Sequence, residues 1–242
     1  MITAPCALPA IAAGSAGFVL GAACARAVAA YARLVDGGHD IDGPTLLRAL
    51  RAGFGVAGQA GRHGGPAMLC CGLVMAAAWA GLYCHAGFSP AFWALAPAAA
   101  MLLLLAGIDM RTSLLPDALT LPLMWLGLLA SWAGLGLPLH DALAGAACGF
   151  LFLSVLAHGF HRLRGRPGMG GGDVKLLAAL GAWTGWQDLA WVLLIASCLG
   201  IAYAMLRQRR LLPRGAYPFG PCLAAGGVAV FMQGTAVHSW FS

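Results

Sequence analysis

Apolar residues in this chain do not alternate, nor do they return on one face of a helix; they run on without interruption. Runs of roughly 14 to 25 residues occupy 8–32, 67–85, 90–108, 118–136, 141–160, 174–187, 189–206 and 220–240, with short polar stretches between them. An α-helix rises about 1.5 Å per residue, so most of these runs match a hydrocarbon core of about 30 Å. The strands of a membrane barrel would instead give weak alternation over about ten residues. The pattern predicts an all-α, polytopic helical membrane protein of about eight transmembrane helices. Segment 174–187 is the short one, rising only about 21 Å. Either the bilayer thins there or the glycine-rich stretch before it lies below the surface. Non-helical backbone at that depth needs protein or a wet cavity around it.

Charge turns the pattern into a topology. Charged residues are 9% of the chain, against about 25% in a soluble domain, and the mean hydropathy is +0.82. No lysine or arginine precedes Arg26, so the first run lacks the basic region of a cleaved signal peptide. It reads as a first span with the N-terminus outside, which makes 33–66, 109–117, 161–173 and 207–219 the inside loops. All 14 basic residues fall in or beside those loops, as the positive-inside rule requires. Removing any one span would send the arginines after it to the wrong side. The formal net charge of +6 is therefore an insertion signal, and the partner it implies is the lipid bilayer rather than nucleic acid. The eight cysteines form no CxxC pair and suit packing better than a disulfide framework or a metal centre. Two regions follow: 1–66, a first span with a polar loop, and 67–242, a core of seven spans.

The acidic residues carry the candidate chemistry. There are eight aspartates and no glutamate. Asp36, Asp40 and Asp42 read as a solvated inside loop, while Asp141 and Asp188 lie at outside ends. Asp109, Asp117 and Asp173 all lie at inside ends of spans, so they can converge on one face of the membrane. Asp109 is carried to the boundary by "MLLLLAGI", and the loop "DMRTSLLPD" ends in Pro116 and Asp117, where proline breaks the chain before the next span. Asp173 follows Gly170, Gly171 and Gly172, which permit a tight turn, tolerate positive φ and let another backbone approach. Two carboxylates close together near low dielectric share a proton. One can then activate water while the other polarises a carbonyl, without metal or covalent nucleophile. On spacing alone three readings stay open: a catalytic pair, helix-capping or arginine-paired aspartates, and a proton or ion pathway of a transporter. The glycine stretch fits neither GxxxxGK[ST] nor GxGxxG. Lys175, the only lysine, reads as an interfacial side chain reaching for the headgroups.

The run "GIDMRTSLLPDALTLPLMWLGLL" and the later "GMGGGDVKLLAALGAWTGWQ" together resemble the type IV prepilin leader peptidases, membrane aspartic peptidases of the GxGD class. Asp109, Pro116–Asp117 and Gly170-Gly171-Gly172-Asp173-Val174-Lys175 fall on that family's motifs, and "YPFGPCLAAGG" at 217–227 on its PFGP segment. The resemblance implies catalysis by Asp109 and Asp173, with Asp117, Pro116, Gly170, Gly172 and Lys175 in support. It implies removal of a short basic leader from a prepilin or pseudopilin at the cytoplasmic face of the inner membrane. Residues 14–27, "GSAGFVLGAACARA", resemble the family's first span but lack its asparagine. Many relatives carry two zinc-binding CxxC pairs in the first inside loop and also N-methylate the product; here 33–66 has no cysteine. No metal or other cofactor is expected for the peptidase, and S-adenosylmethionine only if methylation is retained.

Overall fold

The computed structural model describes residues 4–40, 42–55, 65–165, 170–208 and 218–233, and among them every regular element is helical. The helices are α1 (Ala4–Asp36), α2 (Gly43–Phe54), α3 (Gly65–Ala86), α4 (Pro90–Thr112), α5 (Asp117–Trp132), α6 (Leu139–Arg164), α7 (Gly171–Gln208) and α8 (Gly220–Gln233). Among the described residues five segments are long and apolar enough to cross a membrane: Leu8–Asp36, Gly65–Ala86, Pro90–Thr112, Leu139–Leu163 and Gly171–Leu206. Asp117–Trp132 and Gly220–Met232 are shorter apolar helices. This is a polytopic helical membrane protein. The expected end of the last span, 234–240, lies outside the described residues, as do Arg62, Arg166, Arg209, Arg210 and Arg214 of the inside loops.

The chain divides into two compact units, Met1–Thr112 and Ser113–Ser242. In the first, α1 packs on α2, α3 and α4 through small residues that let backbones meet. A Cβ on Gly17 would stand 2.8 Å from the Met75 carbonyl oxygen, and one on Gly107 2.8 Å from Val28 Cγ2. Packing of this kind is how helices associate where lipid removes the hydrophobic drive. At the α3–α4 turn Tyr83, Phe88, Phe92 and Trp93 form a ring cluster with centroids 4.7–6.1 Å apart. Aromatic residues of this kind anchor span ends at a bilayer surface.

The stretch 33–66, expected to be loop alone, contains α2. Its start has a local cause: Asp42 stands at the N-cap and Pro44 lies in the first turn, where proline lacks only an N–H that would be unpaired anyway. Thr45, Ala49 and Gly53 recur at helical spacing and are buried with Leu46. At twelve residues the helix is too short to register as a span.

In the second unit α7 explains the short segment. Gly185 has φ 76° and ψ 174°, a region essentially reserved for glycine, so α7 is two helices, 171–184 and 186–208. They lie side by side. Leu180 and Ala196 would be about 24 Å apart on one straight helix. Yet neighbouring glycines of α8 meet one each: a Cβ on Gly227 would strike the Leu180 side chain, and one on Gly226 would lie 3.4 Å from the Ala196 nitrogen. The chain therefore turns back at Gly185. With that division the apolar helices stand at the eight places read from the sequence, and α2 is additional. The first half is sheathed by its neighbours α5, α6 and α8. Gly145 and Gly181 bring α6 and α7 into backbone contact. Trp183 lies against Gly127, 2.9 Å from where its Cβ would be, and donates Nε1–H to the Leu123 carbonyl at 2.8 Å. A helix enclosed by protein need not match the bilayer thickness, and its non-helical end at Gly185 is buried, as its depth requires.

Candidate active site

Asp173 sits in the first turn of α7 with only 8% of its surface exposed. That end of a helix carries unpaired N–H groups and the positive end of the dipole, which favours a carboxylate. Its own N–H donates to the Gly170 carbonyl at 3.2 Å, which fixes the entry into the helix. A Cβ on Gly170 would lie 3.7 Å from Asp173 Oδ2, so glycine leaves that face of the carboxylate uncovered.

Of the three glycines, Gly172 acts by packing rather than by backbone freedom. Among the described residues the glycines of positive φ are Gly38, Gly87, Gly134, Gly165 and Gly185; Gly170, Gly171 and Gly172 are not among them, contrary to the tolerance expected to matter there. Gly171 and Gly172 already belong to α7. Gly172 is needed because a Cβ there would fall 2.6 Å from Leu115 Cβ. What approaches it is the loop before α5.

That loop is held at its other end too. Pro116 is buried and caps α5 with extended backbone, its carbonyl accepting from the N–H groups of Leu119 and Thr120 at 3.0 and 3.2 Å. Asp117, the first residue of α5, accepts from Lys175 Nζ with both oxygens, at 2.7 and 2.6 Å. Lys175 therefore does not extend alone to the headgroups, as the sequence suggested; it clamps α5 to α7. A cation close to the start of a helix opposes its dipole, and Asp117 offsets it. Both side chains are about half exposed, at 40% and 53%, so the pair orients the two helix starts more than it stabilises the fold. Spacing could not disclose this pair, because it joins residues 58 positions apart. Leu115 carried no signal at all in the sequence.

Asp109 belongs to the first unit. It is buried, with 5% exposure, in the last turn of α4 on the face that also carries Leu102 and Leu105. Thr112 closes that helix end by donating to the Ile108 carbonyl at 2.9 Å, and Ser113 next to it adopts φ 53°. The second unit thus brings together Asp173, Gly170, Gly172, Lys175, Asp117 and Pro116. Among the described residues no group of three or more His, Cys, Asp or Glu is placed to hold a metal ion.

Residues 96–205, from the middle of α4 to the second half of α7, match the family model of the type IV leader peptidases. Over that segment the chain is similar to the type IV leader peptidase family. It is 48% identical over 138 residues to a protein of Burkholderia pseudomallei (strain 1026b), covering 56% of this chain and 45% of that one. A Dickeya chrysanthemi protein is 50% identical over 125 residues, 51% of this chain and 44% of its own. One from Pseudomonas putida is 41% identical over 172 residues, 70% of this chain and 58% of its own. Each of these is named prepilin leader peptidase/N-methyltransferase. The chain spans about half the length of the curated relatives it matches. No solved structure matches it.

Proposed function

We propose that this protein is a membrane-embedded aspartic endopeptidase that removes the basic leader from type IV prepilins or pseudopilins. The observation that carries the reading is the buried Asp173 in the first turn of α7, flanked by Gly170, Gly172 and Lys175, inside the segment that matches the family. The transporter reading finds no support in the relatives. Asp109 is the second catalytic carboxylate of the proposal, and residues 67–242 its peptidase core. In the reaction one carboxylate takes a proton from water as its oxygen bonds to the scissile carbonyl carbon. The other, protonated, gives its proton to the carbonyl oxygen; collapse of the tetrahedral intermediate expels the amine, which takes up the proton held by the first, while a hydroxyl of the intermediate returns its proton to the second as the new acid forms. The substrate would present its leader at the cytoplasmic face of the bacterial inner membrane and leave its apolar helix in the bilayer.

The relatives named above are N-methyltransferases as well. In this chain we propose that the peptidase is kept and methylation lost, because 33–66 has no cysteine; S-adenosylmethionine would be a co-substrate only if methylation is retained. The test is purified protein in detergent with a synthetic prepilin, read by mass spectrometry. The expected product is the leaderless chain with a free amine. An intact substrate would overturn the peptidase, and a product heavier by one methyl group would overturn the loss of methylation.

A further inference from the structure

Helix α2 takes no part in the site described above, and its outer surface does not look like that of a helix bathed in water. At 100° per residue its side chains fall into three sectors. Thr45, Leu46, Ala49 and Gly53 are buried and form the first, seated on α1: a Cβ on Gly53 would lie 2.6 Å from Ala27 Cβ. The second is apolar, with Leu50 half-buried and Phe54 and Leu47 exposed to 48% and 56%. The third holds Arg48 and Arg51, both exposed. A soluble surface helix would carry polar residues across everything its core face leaves over. Here an apolar strip runs beside the packed one, with two guanidinium groups along its far edge.

The level of this strip along α1 identifies what it meets. Ala27 follows Arg26, the first basic residue of the chain, where α1 leaves its uncharged stretch. Six residues further on, at Arg33, the first inside loop begins, so the Gly53 seat sets the C-terminal end of α2 within about 9 Å of the boundary between hydrocarbon and water. Asp36, Asp40 and Asp42 all lie before α2, so its acidic approach is at the opposite end from Phe54.

We propose that α2 is an interfacial helix that docks on anionic phospholipid, with Leu47, Leu50 and Phe54 among the headgroups and Arg48 and Arg51 on lipid phosphates. An apolar face with arginines at its margin is the arrangement that binds such a surface, and each arginine near it contributes on the order of a fivefold gain in occupancy. The experiment is amide hydrogen exchange on the full chain in nanodiscs of phosphatidylcholine, with and without phosphatidylglycerol. Amides of 45–54 should exchange roughly tenfold more slowly in the anionic discs, and high salt should erase the difference. Arg48→Gln/Arg51→Gln should lose the lipid dependence, while peptides from α5 and α6 exchange as before and report an intact fold. Phe54→Asn should speed exchange of 45–54 in both lipids. Equal exchange of the native protein in the two lipids would overturn the proposal. So would a lipid dependence that survives in the double variant, or protection that appears only when two copies share a disc and marks a contact between chains.

Discussion

The two halves of α7 are written in nearly the same alphabet and live in different solvents. In residues 171–184, Leu176, Leu177, Ala179, Leu180 and Ala182 have no exposed surface at all. In 186–208, Trp186, Trp191, Leu194, Leu199, Ile201 and Leu206 are exposed. Hydropathy does not separate them, because lipid and protein interior accept the same side chains. What separates them is what they meet: Gly145 and Gly149 of α6 reach the backbone of the first half at Gly181 and Leu177, and Gly227 of α8 meets the Leu180 side chain, whereas the second half turns Trp and large aliphatic residues outward. The enclosed half is the one that begins with Asp173.

The sharpest way to test that contrast is to neutralise the aspartate that opens each half. Asp173→Asn should lower cleavage of a synthetic prepilin by about 10²–10⁴-fold, the range of general acid–base catalysis. Asp109→Asn should do the same, both with unchanged protein levels. Asp188→Asn, near the start of the lipid-facing half, should cleave at close to the native rate. Substantial turnover in either of the first two variants would remove the aspartyl mechanism.

Bulk should divide the halves next. Gly181→Leu pushes a side chain into the backbone of α6 at Gly145 and should cost about 1–3 kcal/mol or more, seen as a clear drop in Tm in detergent. Leu199→Phe, on the exposed half, should leave Tm nearly unchanged. Equal losses from the two would mean that the first half is not packed more tightly than the second.

Within the enclosed half, Gly172→Leu should reduce cleavage by more than it reduces folded protein, because the added side chain displaces Leu115 and with it the loop to Asp117. Activity normalised to folded protein decides this; a normalised rate equal to the native one would confine Gly172 to folding.

The smallest effect concerns the clamp. Asp117→Asn and Lys175→Gln should each change stability by about 1 kcal/mol or less while lowering the cleavage rate measurably. The reversed pair Asp117→Lys/Lys175→Asp should recover part of that rate, and no recovery would show that the two residues act independently.

The sequence makes the apolar helices legible because each is a run long enough to be its own signal, and fourteen arginine and lysine positions constrain their order. Asp109 and Asp173 stand out in the sequence as candidates because both lie at inside ends of spans, and the structure buries both. What stays hidden is whatever depends on a partner distant in sequence. Lys175 reads as an interfacial cation until Asp117 is seen beside it, and Gly172 reads as a place of close approach without any sign that Leu115 is what approaches. α2 was hidden differently: Asp42, Pro44 and the 45/49/53 repeat are all in the sequence. A search for runs of membrane length passes over twelve residues that contain two arginines.

The turn at Gly185 makes the first half of α7 a ruler. It replaces a loop by a single residue, so no slack lies between the fixed point and the carboxylate at the far end. Removing one residue between them, Ala179 for example, would draw Asp173 about 1.5 Å toward the turn and swing it about 100° around the helix axis. Between Asp173 and Gly185 the count of residues therefore sets where the carboxylate stands.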